Sequence, residues 1–86
     1  MASVTIRYWA AAKDAAGVAE ESLDAVTLCD ALDMARGRHP GDARFAAVLD
    51  RSSFLVEGTR VGRAAAAAAI LPQGAVIEVL PPFAGG

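Results

Sequence analysis

Ala75-Val-Ile-Glu-Val-Leu80 alternates along its length and is bracketed by Pro72-Gln-Gly74 before it and Pro81-Pro82 after it. Ala75, Ile77 and Val79 fall on one parity, and Val76, Glu78 and Leu80 on the other, which is the pattern of a strand. Neither proline can donate to a ladder, so the strand ends at Leu80. A counterpart opens the chain, where residues 3–9 set Val4, Ile6 and Tyr8 against Thr5, Arg7 and Trp9. These two segments carry the strongest alternation in the chain, and they are expected side by side at the centre of one sheet.

One strong helix lies between them. Thr27 and Asp30 resemble a capping box, with Asp in place of the usual Glu or Gln. Leu28, Ala31, Leu32 and Ala35 then recur at helical spacing, and Gly37 with Pro40 predicts the stop. Residues 42–50 repeat the pattern on a smaller scale through Phe45, Val48 and Leu49. Val18 to Val26 reads as a strand, although alanine and glutamate are poor strand formers. Phe54 to Val61 predicts two short strands about Gly58, with Glu57-Gly58 in the turn. Ala10 to Ala16, closed by Gly17, fits either one or two helical turns or a long hairpin connection. Ala64 to Ala69 is a run of six alanines, too short to hold an isolated helix, and is expected as a helical turn or an ordered loop. A mixed sheet of about five strands, covered on one face by a main helix and a short second helix, is an α+β roll.

Composition limits what such a roll can do. Of 86 residues, 21 are alanines, so the 55% hydrophobic content overstates the bulk available for a core. The longest apolar run, Ala64 to Leu71, is eight residues, whereas a membrane-spanning helix needs roughly 18. Eight Lys and Arg against ten Asp and Glu leave no cationic surplus for nucleic acid. Cys29 has no second thiol for a disulfide or a metal knuckle, and it reads as a packing residue at the margin of the helix's apolar face. His39, beside Pro40 and without a second histidine, reads as a solvated or capping residue rather than a metal ligand. Asp30 and Asp33 read as solvated helix positions. No signal peptide is readable at the N-terminus. Together with the single cysteine, this leads us to expect a reducing, cytoplasmic setting.

The chemistry concentrates at the end of the chain. The last strand leads into Pro81-Pro82, then Phe83, then Ala84-Gly85-Gly86. Prolines restrict the direction in which the chain leaves the fold. Phe83 either folds back over the sheet or enters a pocket on a partner. Ala84, Gly85 and Gly86 lack bulk and can thread a narrow channel, with backbone contacts on all sides. The Gly86 carboxylate at the channel's end would be a poor acyl donor until activated, for example as an acyl-adenylate. Arg7 and Trp9 form either an exposed sheet face or a docking face.

Gly74-Ala-Val-Ile-Glu-Val-Leu-Pro-Pro-Phe-Ala-Gly-Gly86 resembles the C-terminal signature of the MoaD/ThiS family of ubiquitin-like sulfur carriers. The ending is most similar to the branch formed by the small (MoaD) subunits of molybdopterin synthase. Val4-Thr-Ile-Arg-Tyr-Trp-Ala10, Thr27-Leu28 and Phe54-Leu-Val-Glu-Gly58 follow in family order. Gly74-Ala75-Val76 departs from the family's usual Gly-Asp-Glu, and the alanine run exceeds its usual connection. The resemblance implies a β-grasp domain over residues 1–82 and a flexible Gly-Gly tail over residues 83–86.

It also implies a cycle in which this chain is a non-catalytic carrier and binds no cofactor itself. A ubiquitin-activating-type (MoeB-like) enzyme would use ATP and magnesium to adenylate Gly86. A persulfide donor would then leave a thiocarboxylate, and the large (MoaE-like) synthase subunit would receive the tail for molybdenum cofactor biosynthesis. In that scheme Gly86 is the reactive residue and Gly85 and Ala84 thread the partner. Phe83, Pro82, Pro81 and Leu80 make the partner contact. Sulfur supply to thiamine, cysteine or a secondary metabolite is the alternative within the carrier class. A ubiquitin-like modifier joined to protein lysines through Gly86 is the alternative outside it.

Overall fold

The structure is a computed structural model that describes residues 2–82, so Phe83, Ala84, Gly85 and Gly86 lie outside the described residues. Strand β1 (Ala2–Tyr8) and strand β5 (Val76–Leu80) pair in parallel, with Ile6 opposite Ile77 and Tyr8 opposite Val79. They sit inside a five-stranded sheet of order β2-β1-β5-β3-β4, which the remaining strands β2 (Glu20–Ala25), β3 (Ser53–Val56) and β4 (Thr59–Val61) complete. All other pairings are antiparallel. The central placement of the two most strongly alternating segments is therefore as expected. A parallel pair cannot close through a hairpin, and the chain between β1 and β5 supplies the whole crossover.

Alternation became burial. Val4, Ile6 and Tyr8 are buried on β1, Leu23 and Ala25 on β2, and Ile77 and Val79 on β5. Helix α2 (Leu28–Arg38) adds Leu28, Ala31, Leu32 and Ala35 to the same core, and helix α3 (Ala43–Arg51) adds Phe45 and Leu49. Cys29 is half-buried against this core. Thr27 Oγ1 accepts from the Asp30 amide, and the Asp30 carboxylate accepts from the Thr27 amide, which completes the capping box. Asp30 is thus a capping residue as well as an exposed one, and Asp33 pairs with Arg36 at 3.1 Å.

Three local features depart from, or decide between, the sequence expectations. Ala10–Ala16 is a third helix, α1, which ends at Gly17 with φ of 77°. Helix α2 runs through Gly37 to Arg38 and ends at His39, because Gly37 keeps a helical backbone and Pro40 supplies the stop. The alanine run forms a short 3-10 turn (Arg63–Ala65) followed by an ordered loop. Its carbonyls have a definite task. Ala69 accepts from the Leu28 amide at 3.0 Å and Ala66 from the Cys29 amide at 3.1 Å. With Thr27, they satisfy the first three amides of α2, which have no partner inside the helix.

The β3–β4 hairpin turns through Glu57 (φ 50°) and Gly58 (φ 79°), the two left-handed positions of a type I′ turn. The Glu57 carboxylate accepts from the Val76 amide at 3.2 Å, tying the hairpin to the start of β5.

Candidate functional site

The sheet's central strand ends at Leu80, and everything the sequence marks as reactive lies beyond it. Leu80 is half-buried, Pro81 is buried and Pro82 is exposed. Pro81 thus anchors the exit of the strand, while Leu80 and Pro82 keep surface that a partner can touch. Phe83, Ala84, Gly85 and Gly86 lie outside the described residues, so nothing in the geometry bears on the choice between a folded-back and an inserted Phe83.

Two elements frame that exit. On one side the Trp9 amide donates to the Val79 carbonyl at 3.2 Å, which locks the start of α1 beside the end of β5. Trp9 itself is 46% exposed. It lines a cleft of about 240 Å³ with Arg7, Tyr8, Lys13, Ala19 and Glu20. Arg7 and Glu20 approach to 3.6 Å across β1 and β2, an exposed ion pair of small energetic weight. On the other side Ser53 is paired with Leu80, and Arg60 donates to Ser53 Oγ at 3.4 Å. The sheet face turned away from α2 carries half-buried Thr5, Leu55, Val76, Glu78 and Leu80. An exposed Trp9 and Arg7 beside the tail's exit suit a docking face.

Beneath the exit, on the helix side, lies a polar cluster that a one-residue-at-a-time reading does not find. Tyr8 Oη donates to Glu21 Oε2 at 2.9 Å, and His39 Nε2 meets Glu21 Oε1 at 2.9 Å. His39 also stacks on Phe45, with ring centroids 4.2 Å apart, and Tyr8 meets Phe45 edge-on at 5.5 Å. Burial, with the Glu21 carboxylate as acceptor, pushes the Tyr8 phenol far above the ordinary tyrosine range, only partly opposed by Arg38. His39 is therefore the C-cap of α2 but is not solvated, since only 14% of its side chain is exposed. The available signal was Glu21, a carboxylate on the same parity as buried Leu23 and Ala25. A carboxylate on a core-facing position calls for a partner.

Among the described residues, no group of three or more His, Cys, Asp or Glu is arranged to hold a metal ion. None of the described helices is long and apolar enough to cross a membrane.

Comparison with curated protein sequences returns no significant match. Among solved structures, molybdopterin converting factor subunit 1 from Pyrococcus furiosus is 23% identical with a TM-score of 0.77, the match covering 96% of this chain and 100% of that one. Small archaeal modifier protein 1 from Methanosarcina acetivorans is 22% identical with a TM-score of 0.81, over 100% of this chain and 98% of that one. A complex of subunits 1 and 2 of molybdopterin-converting factor from Helicobacter pylori contains a chain 18% identical with a TM-score of 0.71, over 98% and 99%. At these identities the likeness shows the ubiquitin-like β-grasp fold. The ThiS family model matches residues 6–86, nearly the whole sequence and its glycine ending included. The chain therefore belongs to the ThiS family.

Proposed function

We propose that this chain is a non-catalytic sulfur carrier of the molybdopterin synthase small-subunit type, acting in the cytoplasm with sulfur held as a Gly86 thiocarboxylate. The observation that carries the reading is the ending Pro81-Pro-Phe-Ala-Gly-Gly86, which in a ThiS-family sequence follows directly on the segment that forms the central strand of the sheet. Rigid β5, flanked on both sides, gives the tail a fixed point of departure. The small terminal residues suit a narrow channel on another protein.

The chemistry assigned to the partners balances in three steps. A Gly86 carboxylate oxygen attacks the α-phosphorus of magnesium-bound ATP, and pyrophosphate leaves. The terminal sulfur of a persulfide then attacks the Gly86 carbonyl carbon, and AMP leaves. A second thiol cleaves the resulting acyl disulfide, which releases the thiocarboxylate and a disulfide. The receiving partner in this reading is the large synthase subunit. It is supported by the Helicobacter pylori chain of the same fold, whose structure is a complex of subunits 1 and 2.

A second reading, a protein modifier joined through Gly86 to lysines, draws support from the similarly folded archaeal modifier protein. Intact mass after incubation with ATP, the adenylating enzyme and a persulfide donor separates them. A carrier exchanges one terminal oxygen for sulfur, whereas a modifier accumulates stable isopeptide adducts. Neither product in the presence of the active partner would remove both readings. Pull-down of a molybdopterin synthase large subunit, rather than a thiazole synthase, identifies the acceptor.

A further inference from the structure

Charge is divided unevenly along the chain. Between Lys13 and Arg36 stand six acidic residues, Asp14, Glu20, Glu21, Asp24, Asp30 and Asp33, and no lysine or arginine. Three of the six fall on β2, which closes one side of the sheet and pairs only with β1 among the described residues. The opposite edge, β4, has three residues, and so short an edge is a poor template for a further strand. β2 has six residues and holds no proline.

The register decides what this edge presents. The Tyr8 amide donates to the Ala19 carbonyl at 2.9 Å. Glu21, Leu23 and Ala25 share the parity of Ala19 and bond inward, opposite Ile6, Val4 and Ala2. The amides and carbonyls of Glu20, Ser22 and Asp24 therefore turn outward, and these three residues are exposed. Arg7 approaches one Glu20 oxygen at 3.6 Å and Ser3 Oγ donates to one Asp24 oxygen at 2.9 Å, contacts that engage a single oxygen of each carboxylate. Exposed Val18 and Val26 flank the strand. A second copy is a poor occupant of this edge. Pairing two β2 strands about Ser22 sets acid against acid in either orientation, and like charges directly opposite are destabilising.

We propose that the outer edge of β2 is a docking site for an extended cationic segment of another protein, which adds a further strand antiparallel to β2 and carries two lysines or arginines four residues apart. One cation lies opposite Glu20 and the other opposite Asp24, with a small polar residue opposite Ser22. Aliphatic side chains at the two ends of the segment meet Val18 and Val26. Main-chain hydrogen bonds to the outward row supply the affinity, and the two charge pairs select the sequence. β2 lies two strands from β5, about 10 Å across the sheet. An extended segment held at this edge leaves the end of β5 uncovered. The proposal does not draw on the carrier reading, since every residue it uses lies in or beside β2.

The test titrates the full, isotope-labelled chain with the end-capped peptide Val-Thr-Lys-Thr-Ser-Thr-Lys-Thr-Val and follows the backbone amides by nuclear magnetic resonance. At about 2 mM peptide the amides of Glu20, Ser22 and Asp24 should shift and exchange with solvent more slowly. Replacing both peptide lysines by glutamate should weaken binding at least about 10-fold. N-methylation of the peptide's two lysines and its serine should do the same, because it removes the ladder and keeps the charge. The double variant E20K/D24K, exposed at both positions and checked by circular dichroism, should invert the preference and take the glutamate peptide. No shift at β2, equal affinity for the two peptides, or binding that survives N-methylation would each overturn the proposal. Self-association of the chain through β2 would overturn it too, by making a second copy the occupant. None of these outcomes bears on Gly86, so the carrier reading stands or falls by its own mass measurement.

Discussion

Glu21 and His39, eighteen positions apart, meet at 2.9 Å with only 14% of each side chain exposed. The contact joins edge strand β2 to the C-cap of α2, and the second oxygen of the same carboxylate carries the Tyr8 hydroxyl. Removing the carboxylate would leave two buried polar groups without a partner, which costs about 1–3 kcal/mol. E21A should therefore lower the midpoint of thermal unfolding by roughly 4–24 °C, at 4–8 °C per kcal/mol for a chain of this size. H39F, which keeps the stacking on Phe45 but not the hydrogen bond, should cost less than E21A. Equal losses in calorimetry would mean that the ring contacts, not the carboxylate, hold this corner.

Tyr8 is the single tyrosine, so its ionisation can be read from near-ultraviolet absorbance without interference. Burial first, and the Glu21 carboxylate second, hold its proton far more tightly in the folded chain than in the unfolded one. A raised folded value contributes stability that is complete below the unfolded tyrosine range, near pH 10, and is lost as pH rises above it. Tyrosinate should consequently appear together with the loss of circular dichroism, in one cooperative alkaline transition. A smooth titration near pH 10 with the fold retained would contradict this.

Thr27 closes α2 from its own side chain, while Ala66 and Ala69 close it from backbone carbonyls. T27A should cost about 1 kcal/mol, as for other N-cap losses. Chemical denaturation with an unchanged m-value would measure it, and a loss below a few tenths would mean that the alanine loop suffices alone.

The different legibility of these features has a physical cause. Val4, Ile6, Tyr8, Ile77 and Val79 were readable because alternation in a strand maps directly onto burial. Leu28, Ala31, Leu32 and Ala35 were readable for the same reason at helical period. Helix α1 stayed open between helical turns and a hairpin connection, since a seven-residue segment containing five alanines has no apolar stripe to decide it. The capping by Ala66 and Ala69 was invisible because carbonyl groups leave no mark on residue identity. Of the two readings of His39, solvated or capping, the structure bears out the cap, and its burial against Glu21 was not legible because that partner comes from another strand. The reading of the glycine tail is of another kind, since it rests on composition and position alone and falls outside the described residues.

Trp9 stands exposed beside the strand from which the tail departs. If the cleft it lines is a docking face, W9A should weaken binding to the large synthase subunit by about 10-fold or more, as truncation of a buried aromatic anchor does. Phe83→Asp should weaken the same complex if its ring enters a partner pocket. Unchanged affinity by calorimetry for W9A would reduce Trp9 to an ordinary exposed residue. Unchanged affinity for Phe83→Asp would place that ring on its own fold.

Gly86 should tolerate nothing beyond it and should not be dispensable. Deleting it moves the carboxylate back to Gly85, and appending one residue replaces the glycine acyl carbon by another. Each change puts the reacting carbon about 3.5 Å, one residue's length, from where a channel built for this tail would present it. A misplacement of even 1 Å can cost about 100-fold in rate. Neither change touches the core, whose buried residues all lie at or before Pro81 among the described residues. Both variants should therefore unfold at the native temperature and yet show no oxygen-for-sulfur exchange by intact mass. Sulfur transfer retained in either one would move the reactive group away from Gly86.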